Sequence, residues 1–103
     1  MKSKLIRDKI PEIVKAKWEQ ISISIANQEE FKTKLFEKLI EESKEVLDAK
    51  TKSEIIEEIA DLYEVIDSIL ENEKIDKADL LNVQKTKREL RWGFNKKILL
   101  KED

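Results

Sequence analysis

Residues 41–61 read EESKEVLDAKTKSEIIEEIAD, and the fold turns on how this stretch divides. Its ends carry carboxylates at helical spacing: Glu41, Glu42 and Glu45 on one side, Glu58 and Asp61 on the other. Between them Asp48 to Ser53 is short and polar, and Thr51-Lys52-Ser53-Glu54 has the form of a capping box that opens a helix. Two helices joined so tightly must run antiparallel, so the two acidic groups face each other near the same level of a hairpin.

Upstream, Asn27-Gln28-Glu29-Glu30 is another capping box, and Phe31, Leu35, Phe36, Leu39, Ile40, Val46 and Leu47 recur at helical spacing to about Ala49. Downstream, Ile55, Ile56, Ile59, Leu62, Tyr63, Ile66, Ile69 and Leu70 predict the second arm, ending near Asn72. Pro11 suits the first turn of a short helix running to about Lys17. ISISI at 21–25 alternates like a strand or an extended connector. Asp76 is placed to cap a fourth helix holding Leu80, Leu81, Val83 and Leu90, with Gly93 offering a left-handed cap at its end, and Lys96 to Leu100 reads as extended.

The expected fold is all-α, one domain over residues 1–103, built as an antiparallel helical hairpin with flanking helices. Each central helix of about 22 residues is about 33 Å long and presents a wide apolar face. The two flanking helices offer too little cover, so oligomerisation is expected to complete a four-helix bundle, as a homodimer or higher homo-oligomer.

A chain that is 43% charged, with one Gly and one Pro, suits long helices and not a turn-rich sandwich or barrel. It has no Cys and no His, which excludes disulfides, thiolate or imidazole metal sites and Ser-His-Asp chemistry. Catalysis is left to carboxylates, Lys, Arg, hydroxyls or a bound metal. The start, MKSKLIRDKIPEIV, lacks the apolar core of a signal peptide, and no run approaches the ~18 apolar residues of a membrane span, so a cytoplasmic location is expected. The net charge of −2 hides a division. Residues 1–40 carry nine basic and six acidic groups, residues 41–73 three and twelve, and residues 74–103 nine and five. An acidic middle between basic ends suits a metal site flanked by phosphate-holding groups, and equally a solvated acidic face neutralised by its own termini.

Helical phase separates the acids better than spacing does. At about 100° per residue, with Leu39 at zero, the apolar arc of the first arm runs from roughly 280° through zero to about 100°. Glu42 falls inside it at about 300°, Glu45 on its border at about 240° and Glu41 outside it at about 200°. A carboxylate within an apolar stripe is costly unless paired or bound to a metal, so Glu42 needs a partner, and lysines across the hairpin are candidates alongside a cation. On the second arm, with Ile59 at zero, Glu58 lies at about 260° beside Val65 and Ile69, whereas Asp61 at about 200° has the phase of a surface residue. Two i, i+3 carboxylate pairs on facing helices offer oxygen ligands for one or two magnesium ions, with positions left for a phosphate chain. Five solvated helix-face charges remain the competing reading.

EESKE at 41–45, followed twelve residues later by EIAD at 58–61, resembles the EExxE and ExxD signature of the MazG-like all-α nucleoside triphosphate pyrophosphohydrolases. That superfamily includes dimeric dUTPases and phosphoribosyl-ATP pyrophosphohydrolase. KLIRDKIPEIV at 4–14, and KREL followed by RWGFNKKILL at 87–100, are similar to its small single-domain members. The resemblance implies hydrolysis of a nucleoside triphosphate to the monophosphate and pyrophosphate, by a helical bundle assembled from two or more subunits. It implies that Glu42, Glu45, Glu58 and Asp61 are ligands of magnesium, with manganese as a second candidate ion. Glu41 matches the adjacent acid, assigned to orienting or deprotonating the attacking water. One departure stands out: members commonly carry RGGF where this chain has Arg91-Trp92-Gly93-Phe94.

Lys85, Lys87, Arg88 and Arg91 precede the glycine, and Lys96 and Lys97 follow it. Arg88 and Arg91 share a helix face, so Lys85, Arg88, Arg91, Lys96 and Lys97 are candidates to hold substrate phosphates. The plainer alternative is a solvated basic helix that pairs with the acidic hairpin. Arg7 or Lys9 could reach a phosphate or make a salt-bridged helix entry, and Trp18, Trp92 and Phe94 are candidates to stack on a base or to pack. Stable nucleic-acid binding is not expected from an acidic chain without an aromatic platform among its basic residues. The rival function is a non-catalytic helical interaction module, or antitoxin-like partner, whose acidic face docks a basic protein.

Overall fold

A computed structural model describes residues 3–18 and 20–101. Four helices follow in order: α1 (Ile10–Ala16), α2 (Gln28–Asp48), α3 (Lys52–Asn72) and α4 (Lys77–Arg91). The described residues contain no strand, and ISISI is an irregular connector.

Caps set most of the boundaries. Asn27 closes a reciprocal box at the start of α2: its Oδ1 accepts from the Glu30 amide at 2.9 Å, and Glu30 Oε1 accepts from the Asn27 amide. Thr51 Oγ1 accepts from the Glu54 amide at 3.1 Å, but Glu54 returns its bond to the Lys50 amide, one residue earlier than a capping box requires. Asp76 Oδ1 takes the Ala78 amide and starts α4.

The end of α4 departs from expectation. Trp92, not Gly93, adopts positive φ at the C-cap (φ 63°, ψ −164°), and Gly93 has no positive φ. Lys96 sits in a turn closed by the Lys97 amide on the Phe94 carbonyl, so the extended tail begins after Lys97.

The core is the face between α2 and α3, which are joined by three residues and packed antiparallel along their length. Leu35, Val65 and Leu70 are buried there. At the far end Gln28 Nε2 donates to Asn72 Oδ1 at 2.7 Å, and Lys32 meets Glu73 at 3.1 Å. Neither α1 nor α4 buries a residue. Lys77 pairs with Asp67 at 3.2 Å and ties the start of α4 to α3. Beyond that pair, α4 makes no packed face with α3. The radius of gyration is 17.7 Å, against about 13 Å for a compact chain of this length.

Candidate active site

Hairpin geometry brings the predicted acids together. One carboxylate oxygen each from Glu42, Glu58 and Asp61 lies within 4.8 Å of the others. Glu42 projects from α2 into the seam and is 9% exposed, as its phase requires; Glu58 and Asp61 rise from α3 and are half-buried. Asp61 does not keep the open surface position that its phase predicts, because the N-terminal segment lies over it: Arg7 Nη2 donates to Asp61 Oδ1 at 2.7 Å. Glu45 is exposed and stands outside the tight trio, although its charge acts on Glu58.

Glu58 is the group this crowding strains most. Loss of hydration raises its carboxyl above the ordinary value, and the negative charges of Glu45, Asp61, Glu42 and Glu57 push the same way. Glu41 shows the opposite balance. Partial burial works to raise it, yet Lys38, by hydrogen bond and charge, and Lys4 behind it outweigh burial and hold Glu41 below the ordinary 4.5. Lys38 also approaches Glu42 at 3.6 Å, so the lysine beside Glu42 comes from its own helix and not from across the hairpin.

The N-terminal segment is a strap across this end of the hairpin. Lys34 Nζ donates to the Ser3 carbonyl at 2.9 Å, Lys4 faces Glu41 at 3.6 Å, and Arg7 reaches Asp61. Arg7 thus makes a salt bridge, with its partner in the acidic centre itself. Sequence separation hid this pair, which spans 54 residues.

The proposed phosphate-holding residues lie elsewhere in the chain. Lys85, Arg88 and Arg91 are on α4 and Lys96 and Lys97 follow it, and among the described residues none pairs with a hairpin acid. Arg88, Arg91 and Lys96 converge on a pocket of about 500 Å³ with Trp92, Gly93, Asn95 and Ile98. Trp18 and Phe94 are almost fully exposed and line neither this pocket nor the acidic centre.

Three carboxylates converge from both arms of an all-α hairpin, and the chain is a member of the MazG-like all-α pyrophosphohydrolase superfamily. More particularly, the family model of phosphoribosyl-ATP pyrophosphohydrolase matches residues 4–87, and the chain belongs to that family. Membership makes it a hydrolase of a nucleotide phosphoanhydride, in a family that typically uses a divalent metal. Searches of curated proteins and of solved structures give no significant match. Among the described residues no helix is long and apolar enough to cross a membrane.

The donor set fits such a metal. Carboxylate oxygens are the ligands that magnesium prefers, and their mutual repulsion, expressed in the raised Glu58, is relieved by a divalent cation.

Proposed function

We propose that the chain hydrolyses a nucleoside triphosphate, or the related phosphoribosyl nucleotide, between the α and β phosphates in a magnesium-dependent reaction. A water oxygen bonds to the α phosphorus, the bond to the bridging oxygen breaks, and pyrophosphate leaves. The observation that carries this reading is the convergence of Glu42, Glu58 and Asp61 oxygens within 4.8 Å, drawn from two helices. Like charges this close repel, and a divalent cation bound among them removes the repulsion.

Glu42, Glu58 and Asp61 would hold the ion, and Glu45, exposed on α2 and near enough for its charge to act on Glu58, would be a fourth ligand. Bound magnesium supplies charge neutralisation at the phosphoryl oxygens and acidifies water. Glu41, kept ionised by Lys38 and Lys4, is a poor proton acceptor and a good hydrogen-bond acceptor, so its part is to orient the attacking water. Arg7 pairs with Asp61, and a metal that took this carboxylate would leave the guanidinium free to bind a phosphate.

Oligomerisation belongs to the same proposal. The chain exposes 10043 Å², against about 6100 Å² for a compact monomer of its mass. The excess is larger than the roughly 1000–2500 Å² that one partner buries in an obligate interface, so there is ample surface for one. Leu47 is 84% exposed and Leu90 77%, so both the hairpin and α4 carry apolar surface for a second copy. Lys85, Arg88, Arg91, Lys96 and Lys97 of that copy are the groups proposed to meet phosphates held at this chain's carboxylates.

The test is a panel of nucleoside triphosphates and phosphoribosyl-ATP incubated with magnesium, with products separated by ion exchange. Pyrophosphate and a monophosphate product are expected; orthophosphate as the sole product would falsify the proposal.

A further inference from the structure

We propose that the pocket at the C-terminal end of α4 is a nucleotide subsite in which Trp92 is the stacking platform for the base. Resting on the pyrophosphohydrolase reading, the inference deepens it by naming the residue that recognises the aromatic part of the substrate. Trp92 lies beyond the residues that the family's model matches.

The first observation is the backbone. At φ 63° and ψ −164°, Trp92 occupies a region that is essentially restricted to glycine. The glycine next to it goes unused. Gly93 has no positive φ, and a Cβ there would meet Arg88 Nη1 at 3.6 Å, an ordinary contact. Neither space nor backbone demands glycine at 93, while position 92, where a glycine would relieve the strain, carries the largest side chain.

Packing does not compensate, because Trp92 remains 68% exposed. What the indole does instead is line the pocket of about 500 Å³, a volume suited to a small-molecule ligand. Lys96 Nζ lies 4.7 Å from the ring centroid, and Arg88 and Arg91 line the same pocket. Among the described residues no carboxylate lines it. Three cations call for a polyanion, and inorganic polyphosphate would satisfy them without an aromatic ring. A ring held there at a backbone cost calls for a ligand that is also planar and aromatic, and a nucleotide is both.

The experiment uses full-length protein carrying Trp18→Phe, so that Trp92 is the sole tryptophan, in EDTA so that no turnover occurs. Nucleoside triphosphate is titrated against inorganic tripolyphosphate. The nucleotide is expected to quench Trp92 fluorescence and to bind roughly 5- to 150-fold more tightly than tripolyphosphate, the range of one base stacked on an aromatic side chain. Trp92→Phe should keep most of that preference. Trp92→Gly, made with Trp18 retained and followed by calorimetry, should abolish the preference while melting at a higher temperature, a pairing that a structural role for Trp92 does not produce. Equal affinity for the two ligands, or an undiminished preference in Trp92→Gly, overturns the proposal. The two readings fail separately. Quenching without hydrolysis on adding magnesium counts against the pyrophosphohydrolase reading and supports the subsite, and hydrolysis without base preference does the reverse.

Discussion

The α2–α3 hairpin and α4 carry similarly amphipathic sequences and meet different fates. The hairpin buries Leu35, Val65 and Leu70 and draws Glu42 into the seam, whereas α4 buries none of its residues and leaves Leu90 77% exposed. Periodicity fixes which face of a helix is apolar, but a short connection alone does not fix what covers it: three residues join α2 to α3 and four join α3 to α4, and only α2 and α3 pack face to face. From α4 the chain runs on into a turn and an extended tail, and its apolar face is left uncovered within the described chain. The half that closes on itself is also the half that gathers the acids, so the proposed chemistry sits where the chain is most determined.

Stability should divide the two regions most sharply. Leu35→Ala should cost about 2–5 kcal/mol of unfolding free energy at every protein concentration. Leu90→Ala should act through association, so that the deficit shrinks as protein concentration rises. Denaturant melts at several concentrations separate the two, and a concentration-independent loss in Leu90→Ala would show that α4 packs within its own chain.

Within the hairpin, Glu42→Gln should lower pyrophosphate release by about 100-fold or more, about 2.7 kcal/mol in the barrier. The amide keeps the shape and removes one repelling charge, so the metal-free melting temperature should not fall. Unchanged turnover would return Glu42 to a purely structural role.

Acidity sharpens the contrast further, since Glu58 and Glu41 are perturbed in opposite directions. The Glu58 value is raised in the folded protein, so its contribution is fully present below about pH 4.5 and is lost as pH climbs through the raised value. The Glu41 value is lowered, so its contribution is present above 4.5 and is lost as pH falls through the lowered value. Metal-free Glu58→Gln should therefore flatten the decline in melting temperature on the alkaline side of 4.5, and Glu41→Gln the decline on the acid side. A Glu58→Gln profile parallel to wild type would contradict the crowding of that carboxylate.

The smallest effect belongs to the strap. Arg7→Gln removes an exposed ion pair worth at most about 1 kcal/mol. It also removes the cation that competes with a metal for Asp61, so less magnesium should suffice for half-maximal activation. A higher requirement would mean that Arg7 assists the metal and does not compete with it.

Legibility in the sequence followed the range of the interactions. Caps at Asn27, Thr51 and Asp76 were readable because each is closed within four residues. Glu42 was readable because a charge at an apolar angle has to be explained. Asp61 was not readable from phase, because its partner Arg7 lies 54 residues away, and beyond its spacing from Glu58 it rested mostly on the family resemblance. The positive φ of Trp92 was missed for a different reason. Sequence reasoning gives positive φ to the nearest glycine, and here the chain gives it to the neighbour.

The central claim is that the carboxylates of the two arms form one metal centre, and a magnesium titration of the melting temperature tests it directly, with calcium and sodium chloride as controls. At a hundredfold excess over the dissociation constant, binding should stabilise the wild type by about 2.7 kcal/mol, a rise of about 10 °C or more. The doubly substituted Glu42→Gln, Asp61→Asn protein should show no such rise. An equal rise in that variant, or a wild-type response no larger than that to salt, would contradict the account.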